Sequence, residues 1–246
     1  MAVRSTQTLG RTEIDRIQTV IHAYDATTPQ GETVMTEPIA ASAYKPKDNL
    51  FGTAAIACYL YSVLGLLMLH VLRPDLAPAN HMISEYAIGP FGWVMRTVFV
   101  ALSGGAMMLF IGLMKNGPTS FVSRVGIALM GIASIGLLIS AIYSMDGPGV
   151  PPTRSGEIHD ISFLVNVVSA AVASILLSVG FGSDTRWRTI QRTSIVLTAM
   201  LLLAFVLQFL TFHKGMPFGL ANRFFIVVAL SWSFAISNRL RLIARQ

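Results

Sequence analysis

Six apolar blocks, at about 51 to 72, 92 to 114, 121 to 145, 160 to 182, 190 to 212 and 219 to 241, limit what this chain can fold into more than any motif does. Each holds about 22 residues, which as a helix spans roughly 33 Å and crosses a hydrocarbon core of about 30 Å. A run such as IALMGIASIGLLISAIY has no alternation, which argues against the short alternating strands of a membrane barrel. Nor do the apolar residues form one helical stripe that a soluble partner element could cover. The expectation is therefore an all-α, polytopic membrane protein, with one six-helix bundle over residues 51–242 behind a polar tail of residues 1–50. Composition agrees, at 53% hydrophobic and only 12% charged.

Lys and Arg set the expected orientation. With the N-terminus inside, the inner segments hold Arg4, Arg11, Arg16, Lys45, Lys47, Lys115, Arg124, Arg186, Arg188, Arg192, Arg239, Arg241 and Arg245, while the outer ones hold Arg73, Arg96, Arg154, Lys214 and Arg223. Thirteen against five places both termini in the cytoplasm. The net charge of +6 then reports topology and contact with anionic lipid. No basic patch with interleaved aromatics points to nucleic acid, so membrane lipids are the expected partners. The tail lacks the apolar core of a cleaved signal peptide and is expected to be mostly disordered, with a short helix over 11–23 on the spacing of Ile14, Ile17 and Ile21. Cys58, the single cysteine, excludes an internal disulfide.

The residues able to do chemistry gather in the outer links, PDLAPANHMISEYAIGPFG, DGPGVPPTRSGEIHD and HKGMPFG. Four of the five histidines, His70, His81, His159 and His213, belong to this side, and His22 lies in the tail. His81 and Glu85 are four apart and share a face if the stretch is helical, with Asn80 or Ser84 available to cap it. His159, Ser162, Asn166 and Ser169 draw a polar stripe down the fourth span that should face the bundle interior. Arg96 and Arg223 sit near the outer, N-terminal ends of spans two and six, where both the helix dipole and the membrane disfavour a cation. Partners are expected for them among Glu85, Asp146 and Asp160, which lie at the same level. Trp93 and Trp187, near span ends, fit an interfacial aromatic belt.

The sequence ISEYAIGPFGWVM after the first span resembles, together with Asp146, Thr153, Gly156 and the Ile158–His159 step before the fourth span and GLANR in the sixth, the bacterial membrane family catalogued as domain of unknown function 998. The resemblance covers about residues 50–242. It implies a six-helix bundle in the bacterial cytoplasmic membrane, without an assigned activity, substrate or cofactor. The positions it carries over are Ser84, Glu85, Gly89, Gly92, Asp146, His159 and Arg223.

Three functional readings follow. In the first, His81, Ser84, Glu85, Arg96, Asp146, His159, Asp160, Asn166 and Arg223 form an ion-paired structural lock at the outer face, with a lipid or small ligand above it. The second is a membrane-embedded hydrolase with catalytic candidates Glu85, His159 and Asp160. There His81, Asp146, His159 and His213 are the candidate ligands of a zinc ion, although the chain has no HExxH and no cofactor is predicted outside that reading. In the third, a transporter or channel component, the stripe from His159 lines a path, but no span has a central Gly/Pro interruption.

Overall fold

The computed structural model describes residues 50–147, 149–211 and 216–243. The tail, Pro148, His213, Lys214 and Arg245 lie outside the described residues. Six helices follow one another: α1 Leu50–Leu72, α2 Gly92–Asn116, α3 Phe121–Ile142, α4 Arg154–Gly180, α5 Thr185–Leu210 and α6 Phe218–Ile243. All six are long and apolar enough to cross a membrane, and among the described residues there is no strand.

Caps explain where the helices depart from the apolar blocks. Helix α4 starts six residues before its block because the Thr153 hydroxyl accepts the Gly156 N–H at 3.2 Å, which lets the polar residues 154–160 form the first turns. In the same way Asp184 accepts the Arg186 N–H at 2.9 Å and starts α5 ahead of its apolar run. Helix α3 instead stops at Ile142, and the last three residues of its block leave the helix to run along α4.

Consecutive helices run antiparallel in steady register. Along α1 and α2, Gly65 meets Val98 and Phe51 meets Gly112; along α3 and α4, Gly126 meets Leu177 and Ser140 bonds Ser162 at 2.8 Å. Helix α6 closes the bundle against α1, with Gly52 beside Ser237 at one end and His70 bonded to Arg223 at the other. The long links thus share one end of the bundle and the short links the other; we call these the long-loop and short-loop ends.

Lipid tails are as apolar as leucine, so close packing and hydrogen bonds have to hold such helices together. Both are present. A Cβ on Gly136 would stand 2.9 Å from the Ser162 carbonyl, so only glycine lets α3 and α4 approach this closely. In the half of the bundle nearer the short-loop end, Ser178 bonds Ser194 at 2.6 Å and Thr198 at 3.0 Å, and the Trp232 indole donates to Ser194 at 2.9 Å. Four buried side chains from α4, α5 and α6 therefore satisfy one another. Trp187 does not join an interfacial belt. It is fully buried, stacked on Phe181 at 4.8 Å, and donates to the Asn116 carbonyl at 2.9 Å, stapling the α4–α5 turn to the end of α2. Trp93 is the exposed one.

Candidate functional site

The link between α1 and α2 is held by Arg73, which is buried. Its Nε and Nη2 donate to Asp75 at 2.9 and 2.7 Å, and its Nη1 reaches the carbonyls of Ile88 at 2.6 Å and Pro90 at 3.2 Å. Gly89 stands between these two carbonyls with φ of 74°, a left-handed conformation that glycine adopts without strain. The arginine therefore ties the start of the link to its end. Paired with Arg73, the Asp75 carboxyl is held below the usual aspartate range.

Within the link, residues Ile83–Ala87 form one 3-10 turn instead of an α-helix. His81 and Glu85 still meet: His81 Nδ1 lies 2.6 Å from Glu85 Oε2, and the Met82 N–H donates to Oε1 at 2.8 Å. Both oxygens of this buried carboxylate are thus engaged inside the link, and Glu85 itself, not Asn80 or Ser84, caps the turn. Ser84 is half-buried on the same turn.

Arg223 joins this link to α1 and α6. Its Nε donates to His70 Nε2 at 2.9 Å, Nη1 to the carbonyls of Pro78 at 2.8 Å, His81 at 2.6 Å and Gly219 at 3.1 Å, and Nη2 to the Tyr86 hydroxyl at 3.1 Å. Every one of these acceptors is neutral. The expected carboxylate partners, Glu85, Asp146 and Asp160, are not among them. Carbonyl dipoles fulfil that role because Gly219, with no Cβ, lets α6 pass against the Pro78 and His81 carbonyls. Helix α6 is fixed there twice more: the Gly219 N–H donates to the Ala79 carbonyl at 2.9 Å, and buried Asn222 accepts the Ile83 N–H at 3.1 Å.

The contacts also define the His70 ring. Its Nδ1 is 2.6 Å from the Leu66 carbonyl, which can only accept, so Nδ1 carries the hydrogen and Nε2 presents its lone pair to Arg223. His70 is in effect the guanidinium's one side-chain nitrogen acceptor.

The remaining candidates stand on α2, on α4 and in the link between α3 and α4. Residues 143–146 lie along the start of α4: His159 Nδ1 donates to the Tyr143 carbonyl at 2.8 Å, Ser155 to the Ser144 carbonyl at 3.0 Å, and Asp146 accepts the Thr153 hydroxyl at 2.6 Å and N–H at 2.8 Å. Those two Thr153 bonds hold the Asp146 carboxyl below the usual range. Arg96 is exposed and donates to the Ser144 hydroxyl at 3.0 Å instead of to a carboxylate, and Asp160 is exposed and takes part in none of these bonds. The polar stripe faces α3: Ser162 bonds Ser140, and Asn166 donates to the Ala133 carbonyl at 2.9 Å.

The candidate residues therefore form two separate assemblies, one around Arg223 and one around Asp146 and His159. Of the proposed zinc ligands, His81 faces Glu85, His159 faces a carbonyl and Asp146 faces Thr153; His213 is outside the described residues. Among the described residues no three His, Cys, Asp or Glu side chains converge as a metal would require. Sequence reasoning left out Arg73, Tyr86, Asn222 and the part played by His70. His70 and Asn222 did carry a signal, as strongly polar residues inside otherwise apolar spans.

The chain matches the family described as protein of unknown function (DUF998) over residues 55–238 and belongs to it. No curated protein and no solved structure matches the chain.

Proposed function

We propose that this member of the DUF998 family is a non-catalytic multi-pass protein of the bacterial cytoplasmic membrane that binds a lipid or another small ligand, with its long-loop end closed by a structural clamp. The observation that carries this reading is the bonding of Arg223, whose Nε and both Nη atoms donate to acceptors within the protein. A guanidinium bonded through all three of its nitrogens orders the link and α6. Glu85, the best-buried carboxylate of the candidate set, has both oxygens occupied by neighbours four and three residues away. An acid or base for hydrolysis works best when it is turned to a substrate, and both Glu85 oxygens are turned to neighbours inside the link instead. The basic bias of the short-loop end supports its cytoplasmic placement.

Native mass spectrometry of the protein extracted with its membrane lipids tests the reading. We expect a bound lipid or small molecule on the wild type, retained when Glu85→Gln, His159→Gln and Asp160→Asn are combined. Turnover of lipid by the wild type that this triple variant loses would overturn it. Topology reporters placed after Lys115 and after Pro152 should report opposite sides of the membrane, with the first inside.

A further inference from the structure

Inside the bundle, away from both polar assemblies, all six helices line a cavity of about 100 Å³. Its wall is mostly apolar and includes Tyr59, Asn166, Ser174, Trp232 and Ser233. No Asp, Glu, Lys, Arg or His contributes to it among the described residues. Most polar groups of the wall already have a partner. Asn166 donates to Ala133, Ser174 to Ala171, Ser233 to Ala229 and Trp232 to Ser194. Tyr59 is only 3% exposed, and its hydroxyl, beside Ser233, completes no hydrogen bond of normal geometry. A buried donor whose neighbour is badly placed to accept is costly in any protein, more so where lipid surrounds the bundle and bulk water is remote.

We propose that this cavity is the ligand site, and that it takes an uncharged, largely apolar molecule or tail carrying one acceptor oxygen, which receives the Tyr59 hydroxyl proton. Each property of the ligand has its source in the wall. The apolar lining favours a hydrocarbon body, the lack of any counter-charge excludes an ion, and the Tyr59 hydroxyl calls for a carbonyl, ether or hydroxyl oxygen. The volume suits a single ring or a short length of chain, well below the size of a whole lipid. This inference rests on the non-catalytic ligand-binding reading and locates its site.

Trp232 lies in the wall, so a brominated probe bound in the cavity quenches its fluorescence. The experiment titrates para-bromoacetophenone, which has a carbonyl acceptor, and para-bromoethylbenzene, which has none, into the protein in phosphatidylcholine vesicles. Saturable quenching by the ketone is expected, absent in Trp232→Phe and in the cavity-filling variant Ala133→Leu. In Tyr59→Phe, an isosteric change, the ketone should bind about tenfold more weakly, the effect of one hydrogen bond, and should match the hydrocarbon. Equal binding of both probes to the wild type, as a water sealed against Tyr59 would produce, overturns the proposal. So does full ketone affinity in Tyr59→Phe, or quenching that rises without saturation. Retention of ligand in native mass spectra alongside any of these failures would reject the cavity and leave the binding reading in place.

Discussion

The two ends of the bundle solve the same problem with different chemistry. At the long-loop end, two arginines, Arg73 and Arg223, gather backbone carbonyls from a link that has no regular structure beyond one 3-10 turn. In the half nearer the short-loop end, hydroxyls and an indole on neighbouring helices bond one another side chain to side chain. The difference follows from the length of the connections. Short turns leave few carbonyls unpaired, so weak neutral bonds between helices suffice. A link of residues 73–91 leaves many, and a planar fork of five donors can collect them from several segments at once. What resembled a charged site in sequence bonds mainly to the backbone of a long loop.

The contrast is quantitative and can be broken. Arg223→Gln should give the largest effect, about 3 kcal/mol of unfolding free energy in detergent, because charge-assisted bonds to five residues are lost together. Arg73→Gln should follow at about 2 kcal/mol, with the loss confined to the link and visible as faster hydrogen exchange there. Ser194→Ala, which removes the shared partner of Ser178 and Trp232, should cost about 1 kcal/mol or less, as interhelical hydroxyl bonds in membranes do. If calorimetric or denaturant unfolding ranks Ser194→Ala above Arg223→Gln, the two ends do not differ in the way described.

Acid should have the smallest effect. The Asp75 and Asp146 carboxyls are both held below their usual range by bonds that exist only in the folded chain. Their contribution is full above the unfolded value of about 4 and is lost as pH falls through the lowered folded values. The contribution of these two aspartates should therefore be constant from neutral pH down to about 4 and decline below it. In Asp146→Asn the decline should be shallower, as pH-dependent unfolding would reveal.

Much of the fold was legible because lipid imposes so few solutions: apolar runs of the right length become helices, and short links make neighbours antiparallel. The polar site was legible only in its location. The pairing of His81 with Glu85 followed from their four-residue spacing, even though the turn is 3-10. The partners of Arg223 were not legible, because carbonyl oxygens belong to every residue and leave no mark in a sequence. Pro78 and His81 serve through their backbones, and only the absence of a side chain on Gly219 brings those backbones near. The early start of α4 was missed for a related reason, since a cap at Thr153 extends a helix beyond its apolar stretch. Trp187 was assigned to the interface by its position near a span end, whereas its stacking partner Phe181 lies in the adjacent turn.

The central claim is that Arg223 is balanced by neutral acceptors and not by a carboxylate. Double-mutant cycles on the unfolding free energy test it most directly, pairing Arg223→Gln with His70→Phe in one cycle and with Glu85→Gln in the other. The account predicts a coupling of about 1 kcal/mol or more for His70 and a clearly smaller one for Glu85, which meets Arg223 only through His81. A coupling larger for Glu85 than for His70 would contradict it.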